Sequence, residues 1–154
     1  MSVEISANRK ALRDFHILER FEAGIELKGT EVKSIRTGHA NLMGAFARVE
    51  NMQVYLYGLD IREYDKASHS QHEPKSRRRL LLHRQQINKL FEASHIKGNT
   101  IVGLRLYWKG HLVKIEIGVG SGKDKADQRA DLKTRAEKRE MDREVSRFNR
   151  GKRS

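Results

Sequence analysis

Short runs in which apolar and polar residues alternate dominate the first 120 positions, and this period-two pattern predicts β-strands. Val102, Leu104, Leu106 and Trp108 alternate with Gly103, Arg105 and Tyr107; beyond Lys109-Gly110, Val113, Ile115, Ile117 and Val119 alternate with Lys114, Glu116 and Gly118. Two residues between such runs predict a hairpin. A second hairpin is expected about Glu22-Ala23-Gly24, with Phe15, Ile17 and Phe21 before it and Ile25 and Leu27 after. A third is expected about Asn51-Met52, joining residues 45–49 to 54–57.

Two segments change period. Thr30 can cap a helix that turns Val32 and Ile35 inward and stops at Gly38, and from about His83 the apolar residues Ile87, Leu90 and Phe91 recur at helical spacing until Gly98. Six or so strands and two helices in so short a body favour a small closed antiparallel β-barrel over an open sheet, because closure removes exposed strand edges. The expected class is mainly β, with short flanking helices.

Charge density divides the chain near Ser121. Residues 1–122 hold 20 basic and 13 acidic side chains, and residues 123–154 hold 12 and 7. The second segment has only Leu132, Met141, Val145 and Phe148 as large apolar residues, too few to offset the entropy of ordering it alone. We therefore expect a folded β-barrel body over 1–122 and a basic tail over 123–154 that is disordered when free and helical against a charged partner.

The whole chain of 154 residues carries 32 Lys and Arg against 20 Asp and Glu, a formal charge of +12, with a pI near 10.2 and a mean hydropathy of -0.76. A polyanion is the first partner to consider. The longest apolar run, residues 54–57, is far short of a membrane span, and the Met-Ser-Val-Glu-Ile start lacks the pattern of a secretion signal. The absence of cysteine excludes disulfides, thiolate metal sites and a cysteine nucleophile, and is compatible with a reducing cytoplasm.

Candidate chemistry is sparse outside the basic groups. The run Gly118-Val119-Gly120-Ser121-Gly122-Lys123-Asp124 fails as a phosphate loop, having Ile117 where glycine is needed and Asp124 where Ser or Thr would hold magnesium; it reads as a hinge leaving the last strand. His69, His72 and Glu73 lack further ligands at a metal-binding spacing. No catalytic residue, metal or cofactor is expected. By contrast, Lys75, Arg77, Arg78, Arg79 and Arg84 bracket the apolar Leu80-Leu81-Leu82, so a firmly mounted cationic patch can track phosphates. Arg9, Lys10, Arg13, Lys33 and Arg36 extend it, and Tyr55, Tyr57 and Tyr64 could stack on bases or pack across strands. In the tail, Arg135, Arg139, Arg143 and Arg147 recur every four residues and would form one ridge of a helix, with Met141, Val145 and Phe148 on another face.

The chain resembles the SsrA-binding proteins, also called small protein B. The resemblance rests on Asn8-Arg9-Lys10-Ala11, on Phe21-Glu22-Ala23-Gly24-Ile25, and on the run from Gly29 to Gly38 with Asn41-Leu42. It continues through Glu73-Pro74-Lys75-Ser76-Arg77-Arg78-Arg79-Leu80-Leu81-Leu82, Leu106-Tyr107-Trp108-Lys109 and Lys114-Ile115-Glu116-Ile117-Gly118. It implies a barrel of oligonucleotide-binding type that holds the transfer-RNA-like part of transfer-messenger RNA. It also implies delivery of that RNA to ribosomes stalled on messages without a stop codon, in concert with alanyl-tRNA synthetase and elongation factor Tu.

Carried over by position, Asn8, Arg13, Glu22, Gly24 and the segment from Glu31 to Lys33 match the family's RNA-binding face, Asn8 and Glu22 being expected to hydrogen-bond sugars or unpaired bases. The resemblance sends the tail into the message channel near the decoding region of the small subunit. There Lys123, Asp127, Arg129 and Lys133 join the arginine ridge as candidate ribosome contacts, although Ala126 and Gln128 depart from the family pattern. The resulting expectation is a monomeric, non-enzymatic adaptor. A structural ribosomal protein and an RNA-modifying or nucleotide-hydrolysing enzyme are the alternatives.

Overall fold

Gly24 sits in mid-strand. Where the sequence predicts a hairpin about Glu22-Ala23-Gly24, the chain runs straight through as one strand, β2 (Phe15–Ile25), pairing antiparallel with β9 (Leu112–Gly122) from Phe15↔Gly122 to Gly24↔Lys114. Phe21, Ala23 and Ile25 are all buried, so one inward parity persists across the supposed turn. A Cβ at Gly24 would lie 3.3 Å from Leu81 Cβ; close approach of the neighbouring strand, rather than a reversal, accounts for glycine there.

The computed structural model describes residues 2–64, 71–123, 136–141 and 143. By its contacts the chain divides into residues 1–122 and 123–154. In the first unit, β1 (Ser2–Ala7), β2, β4 (Phe46–Glu50), β5 (Gln53–Tyr57), β7 (Arg78–Leu81), β8 (Asn99–Lys109) and β9 form one antiparallel sheet in the order β1-β8-β4-β5-β7-β2-β9. Because β9 also pairs with β8, the ladders lead from β8 through β4, β5, β7, β2 and β9 back to β8. Two short strands, β3 (Ala40–Asn41) and β6 (Asp60–Ile61), pair separately. The mainly β architecture with short helices is as the alternation indicates.

The hairpin of β4 and β5 is the one expected, with Glu50↔Gln53 closing a two-residue turn in which Asn51 and Met52 both have positive φ (50° and 59°). The hairpin of β8 and β9 turns one residue later than expected, at Gly110-His111, where Gly110 supplies φ +63°. The strict alternation expected along β8 also breaks. A bulge between Gly103 and Arg105 lets Ile101 and Leu106 enter the main core, whereas Val102 and Leu104 face a smaller one with Ala11.

That smaller core lies under a helix that the periodicity did not indicate, α1 (Arg9–Asp14). Six residues are too few to display a helical period; the start signal is Asn8, whose Oδ1 accepts from Ala11 N (3.2 Å). The second helix, α2 (Gly29–Arg36), begins earlier than Thr30 would cap it: Lys28 is the cap residue, and its backbone N–H donates to Glu31 Oε1 (2.8 Å). The third, α3 (Arg84–Ser94), follows its predicted course, with Ile87 and Leu90 buried and Phe91 partly exposed.

Gly118 and Gly120 of β9 are packing residues, which corrects their reading as part of a hinge. A Cβ at Gly118 would meet Ile17 Cγ2 and Leu104 Cδ1 at 2.9 Å, and one at Gly120 would meet the Phe15 ring at 3.1 Å. In the second unit, residues 136–141 and 143 are helical and exposed, Arg139 and Arg143 among them. Asp127, Arg129, Lys133, Arg135 and Arg147 lie outside the described residues, as does His69.

Candidate nucleic-acid interface

Outward positions of β2, β8 and β9 form an open groove of about 420 Å³ lined by Arg20, Glu22, Arg105, Tyr107, Lys109 and Glu116, with Ser2 and Phe21. Register brings Glu22 and Glu116 directly opposite each other, an arrangement that unbalanced like charges would oppose. Each acid has its own cation: Arg20 Nη1 donates to Glu116 Oε1 (2.8 Å), and Lys109 Nζ donates to Glu22 Oε1 (2.9 Å). The Tyr107 hydroxyl donates to Glu22 Oε2. These two donors hold the Glu22 carboxyl below its usual range, the tyrosine hydrogen bond being the larger influence. Burial, reinforced by the bond to Glu22, pushes the Tyr107 hydroxyl pKa well up. Glu22 is thus an oriented anion in a cationic groove, with its side chain 42% exposed.

Neighbouring cations continue the surface. Lys114 Nζ comes within 3.6 Å of where a Cβ would stand on Gly24. Arg36 lies 5.9 Å over the Trp108 ring and Lys33 lies 5.7 Å over Tyr64, both from exposed positions of α2. Arg9, Lys10 and Arg13 are exposed on α1, Arg13 pairing loosely with Asp14 (3.5 Å).

Two expected contact residues are instead internal. Asn8 is 2% exposed; besides capping α1 it donates from Nδ2 to Gly103 O (2.9 Å), so both ends of its amide are occupied inside the protein. Glu31 is 3% exposed and accepts from Arg78 Nε through Oε2 while Oε1 holds Lys28 N. Arg78 likewise leaves the basic patch in which the sequence places it. It is buried and donates to the carbonyls of Leu59, Ser76 (2.9 Å), Glu73 and Pro74, because inward parity on β7 carries it beside Leu80. His72 is buried too. Its Nε2 faces the Ile61 carbonyl (2.8 Å), which can only accept, so the ring donates there, while its Nδ1 is hydrogen-bonded with the Thr30 hydroxyl (2.9 Å). No cluster of three or more His, Asp or Glu placed to hold a metal ion occurs among the described residues.

Lys75, Arg77 and Arg79 remain exposed, but on a different part of the sheet. Arg77 pairs with Glu50 (2.8 Å) and covers Tyr55, and Arg79 stands opposite Tyr55 in register and 4.0 Å from Glu26. Arg20, Arg105, Tyr107, Lys109 and Lys114 are not among the contact residues that the sequence indicates. Their shared outward parity on paired strands was readable in the alternation, but pairing β2 with β9 requires contacts across some 90 positions.

A basic, mainly β body whose outer surface interleaves cations, aromatic rings and one positioned carboxylate belongs to the class of nucleic-acid-binding modules. Residues 5–147 match the family model described as SmpB protein. The chain is 49% identical over 138 residues to the SsrA-binding protein of Carboxydothermus hydrogenoformans, covering 90% of this chain and 93% of that one. It is 47% identical over 146 residues to the SsrA-binding protein of Halalkalibacterium halodurans, covering 95% of each. A solved structure described as "tmRNA-SmpB: a journey to the center of the bacterial ribosome" contains a chain that superposes with a TM-score of 0.65 at 38% identity, over 85% of this chain and 94% of that one. The chain belongs to the SmpB family, the SsrA-binding proteins.

Proposed function

We propose that this protein binds the transfer-RNA-like part of transfer-messenger RNA and delivers it to stalled ribosomes for trans-translation, as an adaptor that performs no chemistry itself. The observation that carries the reading is the oriented Glu22 carboxylate between Tyr107 and Lys109, set in a cationic groove of an SsrA-binding family member. A carboxylate offers about four acceptor sites. Two are taken, so Glu22 retains capacity for a 2′-hydroxyl or a base amine, while phosphates go to the surrounding cations.

The RNA-binding residues in this reading are Arg9, Lys10, Arg13, Glu22, Gly24, Lys33 and Arg36, with Lys75, Arg77 and Arg79 as further phosphate contacts. Asn8 and Glu31 position them from inside. The ladders that return to β8 support a closed barrel of oligonucleotide-binding type. The tail, through Lys123, Asp127, Arg129, Lys133, Arg135, Arg139, Arg143 and Arg147, occupies the message channel near the decoding region. Alanyl-tRNA synthetase supplies the charged RNA and elongation factor Tu its carrier, and the protein acts in the cytoplasm as a monomer.

Sequencing the RNA that copurifies with the full chain tests the binding: enrichment of one transfer-RNA-like species is expected, and a profile dominated by ribosomal RNA after a salt wash would favour a structural ribosomal protein. Deleting residues 123–154 tests the division of roles, with RNA affinity retained and tagging of stalled peptides lost. Equal loss of both refutes it.

A further inference from the structure

The outer face of β4 and β5 carries a second arrangement that the groove about Glu22 does not use. Ala47, Val54 and Leu56 point inward and are buried; by strand parity Phe46, Arg48 and Glu50 on β4 and Tyr55 and Tyr57 on β5 point outward. Phe46 and Tyr57 are partners in register, their rings stacked with centroids 5.5 Å apart and planes 14° from parallel. The Arg48 guanidinium lies 5.3 Å from the Phe46 ring centre and 5.7 Å from that of Tyr57, and Arg77 lies 4.2 Å over Tyr55.

Glu50 organises this shelf. It accepts from the Tyr57 hydroxyl through one oxygen and from Arg77 Nη1 (2.8 Å) through the other, restraining one ring and one guanidinium together. Among the described residues Arg48 has no carboxylate in ion-pair range, and it is exposed. Arg48, Arg77 and Arg79 against Glu50 and against Glu26, 4.0 Å from Arg79, leave the shelf with a net positive charge. Three rings and three guanidiniums on an outward face give flat π surfaces with cationic edges, which suits a partner that alternates flat rings with anionic groups.

We propose that this shelf is a second RNA-binding surface, taking unpaired bases by stacking on Tyr55, Tyr57 and the Arg48 and Arg77 planes while the guanidinium edges meet the adjoining phosphates. Duplex RNA keeps its base faces covered, and an acidic peptide has no rings to match, so a single-stranded segment is the ligand that uses both features. Around the sequence of ladders β5 stands three steps from β9 in either direction. The shelf and the groove about Glu22 therefore lie on separate stretches of the sheet's outer face, centred on different strands, and can be occupied together.

The test is titration of the full chain with a 12-nucleotide single-stranded RNA of adenines carrying one 2-aminopurine, read by its fluorescence. The expected result is quenching on binding, a loss of about tenfold in affinity for each of Tyr55→Leu and Tyr57→Leu, and poor competition by a blunt duplex or by polyglutamate. Arg48→Glu, which leaves every ring in place, is expected to weaken binding at least about tenfold and carries the test if a tyrosine variant fails to fold. Equal affinity of wild type and Arg48→Glu, effective competition by the duplex or by polyglutamate, or binding without quenching would each overturn the proposal. Enrichment of transfer-messenger RNA from cells is a separate measurement, so loss of the shelf and loss of the proposed function are told apart.

Discussion

Arg78 and Glu31 form an ion pair inside the protein, their side chains 2% and 4% exposed, and this pair ties α2 to the start of β7. A buried charge is tolerated only when its partners are complete. Arg78 meets that condition with Glu31 and four backbone carbonyls, and Glu31 meets it with Arg78 and the Lys28 N–H. Ser34, donating to Arg62 O (2.6 Å), and the Thr30–His72 contact complete a polar seam beneath the helix that presents Lys33 and Arg36.

Breaking this pair on one side leaves the other charge stranded. Arg78→Met and Glu31→Leu are each expected to cost about 3–5 kcal/mol, measured by urea unfolding, whereas Lys75→Met at an exposed site should shift the midpoint little. A midpoint for Arg78→Met equal to that of Lys75→Met would show that the pair does not support the fold.

Asn8 and Arg36 should separate stability from affinity. Asn8→Ala removes a helix cap and strands the Gly103 carbonyl, at a cost of about 1–2 kcal/mol, yet RNA affinity measured at low temperature, with the protein fully folded, should change little. Arg36→Gln should leave stability nearly unchanged and lower the slope of log affinity against log salt by about one. An affinity loss for folded Asn8→Ala larger than that for Arg36→Gln would return Asn8 to the contact surface.

The depressed Glu22 carboxyl gives a pH dependence with a definite sign. Its stabilising contribution is complete above the unfolded carboxyl value of about 4.3 and disappears as pH falls through the lower value of the folded protein. The side chain is partly solvated, so the effect should stay within about 1 kcal/mol. Glu22→Gln should therefore unfold slightly more easily at pH 7 and lose less stability between pH 5 and pH 3 than the wild type. Parallel curves for the two proteins would assign the acid limb to other groups.

Gly118 and Gly122 lie on the same strand in opposite surroundings. Gly118→Ala pushes a methyl group against Ile17, Leu104 and the Glu19 carbonyl and should cost about 1–3 kcal/mol. At Gly122 nothing lies within 4 Å of the added carbon, and Gly122→Ala should be close to neutral. Thermal unfolding of the pair provides the comparison.

The alternation made the β4–β5 turn legible because Asn51-Met52 interrupts two clean runs, and the same kind of signal misled at Glu22-Ala23-Gly24. A short interruption between apolar runs marks a reversal at Asn51-Met52 and a close approach of paired strands at Gly24; only the proximity of Leu81 and Lys114 distinguishes the second. Arg78 illustrates the limit for charge. Among Arg77, Arg78 and Arg79 composition is uniform, and the inward parity of β7 selects which one is buried.

Composition, charge and local period depend on neighbours along the chain, so the sequence by itself determined the mainly β character, the excess of basic residues and the helices α2 and α3. Strand partnership depends on which distant segments best bury their inward faces together. That selection alone turned Asn8, Glu31 and Arg78 into internal supports, assembled Tyr107 and Lys109 about Glu22, and laid Phe46, Tyr55 and Tyr57 side by side under arginines.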